Sequence, residues 1–578
     1  MYSYERLLAA IVDEARSSYP RQVLDPARRE DGAFVAAGGC LWEVVGYPAP
    51  DVSSHSHAIA CLAYALLADG SPLAGDEEAL DRLLRAIAFL RRSQRPTGLI
   101  DLPSTNYESP PDTAFSIQLL APVVALARRV ASGGQGRQIG GREAADTLGE
   151  YIRTAALGII GRGFHTPNHR WVICGALGQA MTLYPDLPAR DYVERILAEG
   201  IDLNADGEFT ERSAVVYNAV CDRSLRLMAD HLRRPDLLGL VRRNLDLMLH
   251  LLHDDGTAVT SISVREDRGR RIVPHSIADS FFDMAQRDGN SVWASAADLL
   301  ISGDLRERSL AWPFDPFLAW LFEPFVTHPE YRREKLTRAP LPDRFVAYYP
   351  TARMWRVRRG LLSATAVAGH TTPFAVRYGD VDLKAVKLFG SYIIAAIFAA
   401  DEFEPIPDGV RLVHRGELRN LPGYDLPLGR LVPVGTWAEA ARQRDRWTQP
   451  PMDIILDIRD APGGFDLHVR TEGSMDRIMF QIECCFEGPG EWETDGQVAI
   501  MENGQTAILK AGHGTFHRGR HGIRIGPGAI THRVWHMRNT EPEPDTFRVL
   551  VTLETPVDRH LEVRYGAWSP ATGEIVPP

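Results

Sequence analysis

Arg338-Ala339-Pro340-Leu341-Pro342-Asp343 divides the chain into halves of different character. Two prolines so close together remove backbone donors and crowd the preceding turn, so no continuous helix runs through this stretch. On its N-terminal side apolar residues recur at helical spacing, over His57 to Leu67, Leu80 to Leu90, Ala114 to Val130, Ala144 to Ile160, Trp171 to Leu183, Tyr192 to Ile201, Ser213 to Leu232 and Leu237 to Leu252. On its C-terminal side the period falls to two, over Met354 to Val357, Leu362 to Val367, Phe374 to Tyr378, Asp453 to Ile458, Phe465 to Val469, Ile478 to Ile482, Ala507 to Lys510 and Phe547 to Thr552.

The first half reads as about ten to twelve helices joined by short Pro, Gly and Asp turns, which pack as antiparallel hairpins and can close into an (α/α) toroid. The second half reads as an antiparallel β-sandwich. The expected class is therefore α+β and multidomain: residues 1–337 helical, 338–352 a linker, 353–578 sheet. A length of 578 residues is too great for one hydrophobic core, and 45% hydrophobic with 24% charged residues is an ordinary globular balance.

A formal charge of −11 argues against nucleic acid or an anionic membrane as partner, since both need a basic face. No run of about 20 apolar residues stands out as a membrane span. The N-terminus reads as an amphipathic helix without a signal peptide, which leads us to expect a cytoplasmic protein. Cys40, Cys61, Cys174, Cys221, Cys484 and Cys485 lack zinc or redox spacing and read as buried thiols, the last two on opposite faces of a strand. Homo-oligomerisation is left open.

The chemistry concentrates in two stretches, Thr166-Pro-Asn-His-Arg-Trp171 and Asp206-Gly-Glu-Phe-Thr-Glu-Arg-Ser-Ala-Val-Val-Tyr217. Thr166-Pro167 reads as a helix start, so Asn168 and His169 fall in a first turn, where free N–H groups and the helix dipole favour an anion. Removing a proton beside a sugar carboxylate requires that the carboxylate be neutralised, that a base take the proton, and that an acid protonate the leaving oxygen. Asn168 is a donor that does not compete as acid or base. His169 moves protons near neutral pH. Tyr217, with a reference pKa of about 10, is an acid as it stands and a base only beside positive charge, for which Arg170 and Arg212 are candidates. Tyr107 and Asp112, with Arg170, Glu211 and Arg212, are candidates to bind sugar.

Asn-His-Arg-Trp opening a helix, followed by Asp-Gly-Glu-Phe-Thr-Glu-Arg-Ser and Tyr217, resembles the heparinase II/III-like and oligoalginate lyase superfamily. The resemblance implies a helical toroid followed by a sheet domain. It implies a polysaccharide lyase acting by β-elimination on a uronate-containing oligosaccharide or polysaccharide, with Asn168 on the carboxylate and His169 and Tyr217 transferring protons. It also implies a histidine from the early sheet strands, for which His370 is first choice and His414 second. Some relatives hold a structural zinc near that histidine. Here the neighbours are Thr371 and Thr372, so no cofactor is expected. The pairs His55 with His57 and His532 with His536 lack a third ligand.

Two other readings use the same architecture. One is a glycoside hydrolase with paired carboxylates among Asp101, Asp112, Asp202, Asp206 and Glu211. The other is a glycan-binding protein without turnover.

Overall fold

The structure is a computed structural model and describes residues 1–24, 27–28, 34–35, 55–103, 105–132, 138–303, 317–333, 335–391, 396–473, 475–537 and 540–578. The chain divides between Pro342 and Asp343 into a helical unit and a sheet unit.

Twelve α-helices are described in the helical unit. Six form an inner ring: His57–Leu67 packs on Pro110–Ser132, then follow Pro167–Leu183, Tyr217–His231, Ala278–Asp288 and Phe317–Thr327, which returns to the first. Glu77–Ser93, Gln138–Ile159, Arg190–Leu197, Leu238–His250 and Ser291–Leu300 pack against these from outside. Side-chain patterning dictates which helices go where. Every residue from Ala58 to Leu67 is buried, so that helix needs neighbours on all sides. Glu77–Ser93 buries one face, through Ala79, Leu83, Ala86, Ile87, Phe89 and Leu90, and serves as an outer helix.

Pro110–Ser132 corrects one expectation: at 23 residues it is long and apolar enough to cross a bilayer, but most of it is buried by its neighbours in the ring. A second correction concerns the start of the helix carrying Tyr217, expected at Ser213 and found at Tyr217. Residues 213–216 are held out of helix by Asp267, whose carboxylate accepts from the Ser213 hydroxyl at 3.1 Å and the Val215 N–H at 3.2 Å.

The sheet unit contains a nine-stranded and a ten-stranded sheet. One core joins them, with Trp355, Phe374, Leu388 and Ile482 of the first sheet against Leu412, Leu456, Phe465 and Val563 of the second. Among the described strands the pairing is antiparallel save for Thr506–Ile508, which runs parallel to Phe547–Glu554, with an isolated parallel bridge from Ile530 to Thr552 beside it. The expected linker 338–352 already contains a strand, Arg344–Tyr349, paired with Met354–Arg359. Along Gly464–Glu472, Phe465, Leu467 and Val469 turn into the core, while Asp466, His468 and Arg470 take the opposite, partly exposed face.

Cys61, Cys174, Cys221, Cys484 and Cys485 are buried free thiols, and Cys40 lies outside the described residues. Cys484 joins the shared core and Cys485, its neighbour on the strand, faces the other way.

Candidate active site

Pro167 is the first residue of the helix Pro167–Leu183, and Thr166 precedes it in extended conformation. The Thr166 side chain makes no capping hydrogen bond. Glu211 caps instead: its Oε2 accepts from the Asn168 backbone N–H at 3.1 Å and from Asn168 Nδ2 at 2.6 Å. The anion expected at this helix start is therefore the protein's own carboxylate. Asn168 and Glu211 are both buried, and Asn168 Oδ1 has no hydrogen-bond partner among the described residues. Burial raises the pKa of Glu211 against the opposing effects of Asn168 and Arg265.

The loop that delivers Glu211 is fixed by a tight turn. Asn204 Oδ1 accepts from the N–H groups of Asp206 and Glu208, both at 3.0 Å. Gly207 sits at φ +93°, and a Cβ there would stand 2.4 Å from the Arg243 carbonyl oxygen, so only glycine suits the position. Asp202, at the start of the loop, accepts from Trp171 Nε1 at 2.7 Å.

Tyr217 is the first residue of its helix. Its hydroxyl donates to Glu266 Oε1 at 2.7 Å and accepts from Arg265 Nη2 at 3.1 Å. The Arg265 guanidinium also lies 4.6 Å from the centre of the Tyr217 ring. On its other side Arg265 approaches Glu211 Oε1 at 3.4 Å. A continuous path thus runs from Asn168 through Glu211 and Arg265 to Tyr217. Burial, reinforced by the Glu266 carboxylate, pushes the Tyr217 phenol well above its ordinary range, so it is neutral at physiological pH. Asp267 ties the segment carrying Arg265 to residues 213–215.

Burial lowers the pKa of His169 to about 3, with smaller contributions from His165 and Arg265. The free site therefore holds a neutral imidazole. Its ring lies 4.7 Å from that of His165, and its Nδ1 is buried without a hydrogen-bond partner among the described residues. His165 in turn meets Asn106 Nδ2 at 3.2 Å.

The remaining candidates are placed as follows. Tyr107 is 76% exposed, on a short strand beside Asn106. Asp112 pairs with Ser109 at the start of Pro110–Ser132: its N–H donates to the serine oxygen, and the serine hydroxyl donates to its carboxylate. Arg170 and Arg212 are not the arginines bonded to the Tyr217 hydroxyl. Arg170 pairs with Glu199 at 3.1 Å and Asp202 at 3.4 Å, because the helix turns it toward the Asp202 loop. Arg212, at φ +51°, reaches back to Glu208 at 2.9 Å. Glu211 supports Asn168 from within. The residues that the sequence reading missed are Arg265, Glu266 and His165. Only His165, four residues before His169, carried a signal, a histidine pair at helical spacing.

In the sheet unit His370 is buried, following Gly369 at φ +79°, and His414 Nδ1 meets the Ala399 carbonyl at 3.0 Å. Beside His370, the two threonines bond to carboxylates: Thr371 donates to Glu541 at 2.5 Å. Thr372 donates to Glu543 at 3.3 Å, and the Lys387 ammonium already occupies that carboxylate at 2.8 Å. In the other histidine pairs, His55 meets the Ala86 carbonyl and His57 meets Cys61, while His532 meets the Phe480 carbonyl and His536 meets Thr540.

No known family model matches the sequence, and no curated protein matches it. Among solved structures the chain is similar to heparinase III, at 11% identity and a TM-score of 0.55, over 98% of this chain and 85% of that one. It is also similar to a heparinase III gene product with methylated lysines, at 9% identity and a TM-score of 0.50, over 96% and 84% of the two chains. The chain has a polysaccharide lyase fold, helical toroid followed by sheet domain.

Proposed function

We propose that this protein is a polysaccharide lyase that cleaves a uronate-containing glycan by β-elimination. One observation carries the reading: the contiguous path Asn168, Glu211, Arg265, Tyr217, with a neutral His169 beside Asn168. On this reading the carboxylate donor and the proton acceptor stand side by side at the start of one helix, and the path links them to a proton donor at the start of another.

His169 takes the proton from C5 of the uronate, and the bonding pair is left on the sugar, delocalised into the carboxylate. Asn168 donates to that carboxylate as its charge grows. The pair then forms the C4–C5 double bond as the C4–O4 bond breaks, and the departing oxygen takes the phenolic proton of Tyr217. Arg265 steadies the phenolate that results. No water is consumed, and the products are a 4,5-unsaturated uronate and a departing sugar that keeps the glycosidic oxygen as its free C1 hydroxyl, a new reducing end.

An imidazole with a pKa of about 3 is a weak base in the free protein. The uronate itself strengthens it, since an anion nearby raises the pKa of histidine. Tyr217 needs no such change: its raised pKa makes it a donor as it stands.

The test is incubation with a panel of uronate oligosaccharides in heavy-oxygen water. Elimination yields ultraviolet-absorbing products without added oxygen. Incorporation of one heavy oxygen without absorbance replaces the proposal with hydrolysis. Of the five carboxylates a hydrolase would draw on, Asp101 is already engaged by Arg95, Asp202 by Trp171 and Arg170, and Glu211 by Asn168. The family resemblance gives His370 a share in proton transfer, and a His370→Gln protein turning over at the wild-type rate removes it from that role.

A further inference from the structure

On the ten-stranded sheet, the strands Gly464–Glu472 and Asp558–Ser569 run side by side with His468 directly opposite His560. Directly opposed side chains on one face of an antiparallel pair have Cβ atoms about 5 Å apart, close enough for two imidazoles to reach one ion. Asp558 lies two residues before His560 and shares its face. His468 Nε2 meets Asp558 Oδ1 at 2.6 Å, the two rings lie 3.9 Å apart, and one donor atom from each of the three residues falls within 4.8 Å of the others. This is the one group of three potential metal ligands found among the described residues.

We propose that His468, Asp558 and His560 bind a divalent zinc-like cation. Two imidazole nitrogens and one carboxylate oxygen form a borderline donor set that suits zinc and its late first-row neighbours rather than calcium or magnesium, which prefer all-oxygen shells. Ligand atoms about 2.1 Å from a tetrahedral ion stand about 3.4 Å apart, so the triad converges by small side-chain rotations and the strands need not move. In the absence of metal a proton joins His468 Nε2 to Asp558, and the cation takes its place. Solvent supplies the fourth position, because His560 and Asp558 are exposed.

The surroundings are arranged for this. Asp457, opposite His468 on the neighbouring strand, is held by Arg411 at 2.7 Å. It also pairs with Arg470 at 3.5 Å, which partly offsets the charge of that guanidinium opposite Asp558. Bound metal would clip together two strands 90 residues apart in sequence. The site does not depend on the proposed lyase activity and lies away from the Thr371 and Thr372 position.

The test is a calorimetric titration of zinc chloride into the full chain after dialysis against EDTA, with thermal melts alongside. The wild type should bind one equivalent more than the His468→Gln/His560→Gln protein. Asp558→Asn should weaken that equivalent by roughly tenfold or more. Zinc should raise the melting temperature of the wild type and not of the double variant, while without metal all three melt nearly alike because the pair that the variants lose lies at the surface. Equal zinc stoichiometry and affinity in the wild type and the double variant overturn the proposal, as does a wild type that takes up no zinc.

Discussion

The carboxylate of Glu211 closes on Asn168 twice, accepting its backbone N–H at 3.1 Å and its side-chain amide at 2.6 Å. A side chain 43 residues away therefore sets both the helix start and the direction in which Asn168 points. Glu211→Ala leaves a buried backbone donor unpaired, which costs about 1–3 kcal/mol of stability, read as a lower melting temperature. Turnover should fall by roughly 10²-fold, because Asn168 loses the partner that orients it. A variant that melts early yet turns over normally would separate Asn168 from the chemistry.

Tyr217→Phe keeps the ring beneath Arg265 and removes the transferable proton. The rate of product formation should drop by about 10²- to 10⁴-fold, with substrate binding measured by calorimetry little changed. Arg265→Met should also slow turnover, since it removes the cation that stabilises the phenolate. Normal rates in Tyr217→Phe would require a different acid.

The pH dependence has a definite sign. His169, with a pKa of about 3, is already neutral throughout the range from about pH 5 to 8, and Tyr217 remains protonated there. Neither group should bend the profile of kcat/KM in that window. Bound uronate raises the pKa of His169, so kcat should show an acid limb at higher pH than kcat/KM does. Coincident acid limbs in the two profiles would count against His169 as the base.

Gly207→Ala combines a left-handed backbone with a carbonyl oxygen 2.4 Å from the new Cβ. The expected loss is about 2 kcal/mol or more, accompanied by slower turnover, because the same loop carries Glu211. Gly163→Ala, where a Cβ meets nothing within 4 Å, is the matching control and should melt as the wild type does.

What the sequence makes legible follows periodicity. His57–Leu67 and Leu362–Val367 have the bounds expected from their apolar spacing, because burial alone decides them. The start of the Tyr217 helix is misread because Ser213 to Val216 are apolar enough to extend it, and only Asp267, reached across 54 residues, holds Ser213 outside. Asn168, His169 and Tyr217 stand out by residue type and local motif. Arg265 does not: it lies in an irregular segment, with no spacing to mark it, and meets Tyr217 only through the fold, 48 residues away in sequence.

The double grip of Glu211 on Asn168 also sets the electrical terms on which a glycan enters. Glu211 and Glu266 both pair with the Arg265 guanidinium, so an arriving uronate adds a third carboxylate beside two already there. Burial has already made Glu211 reluctant to stay ionised, and a further anion increases that reluctance. On the proposed reaction, an arriving uronate therefore pushes Glu211 further in the direction in which burial already moves it, toward its protonated form.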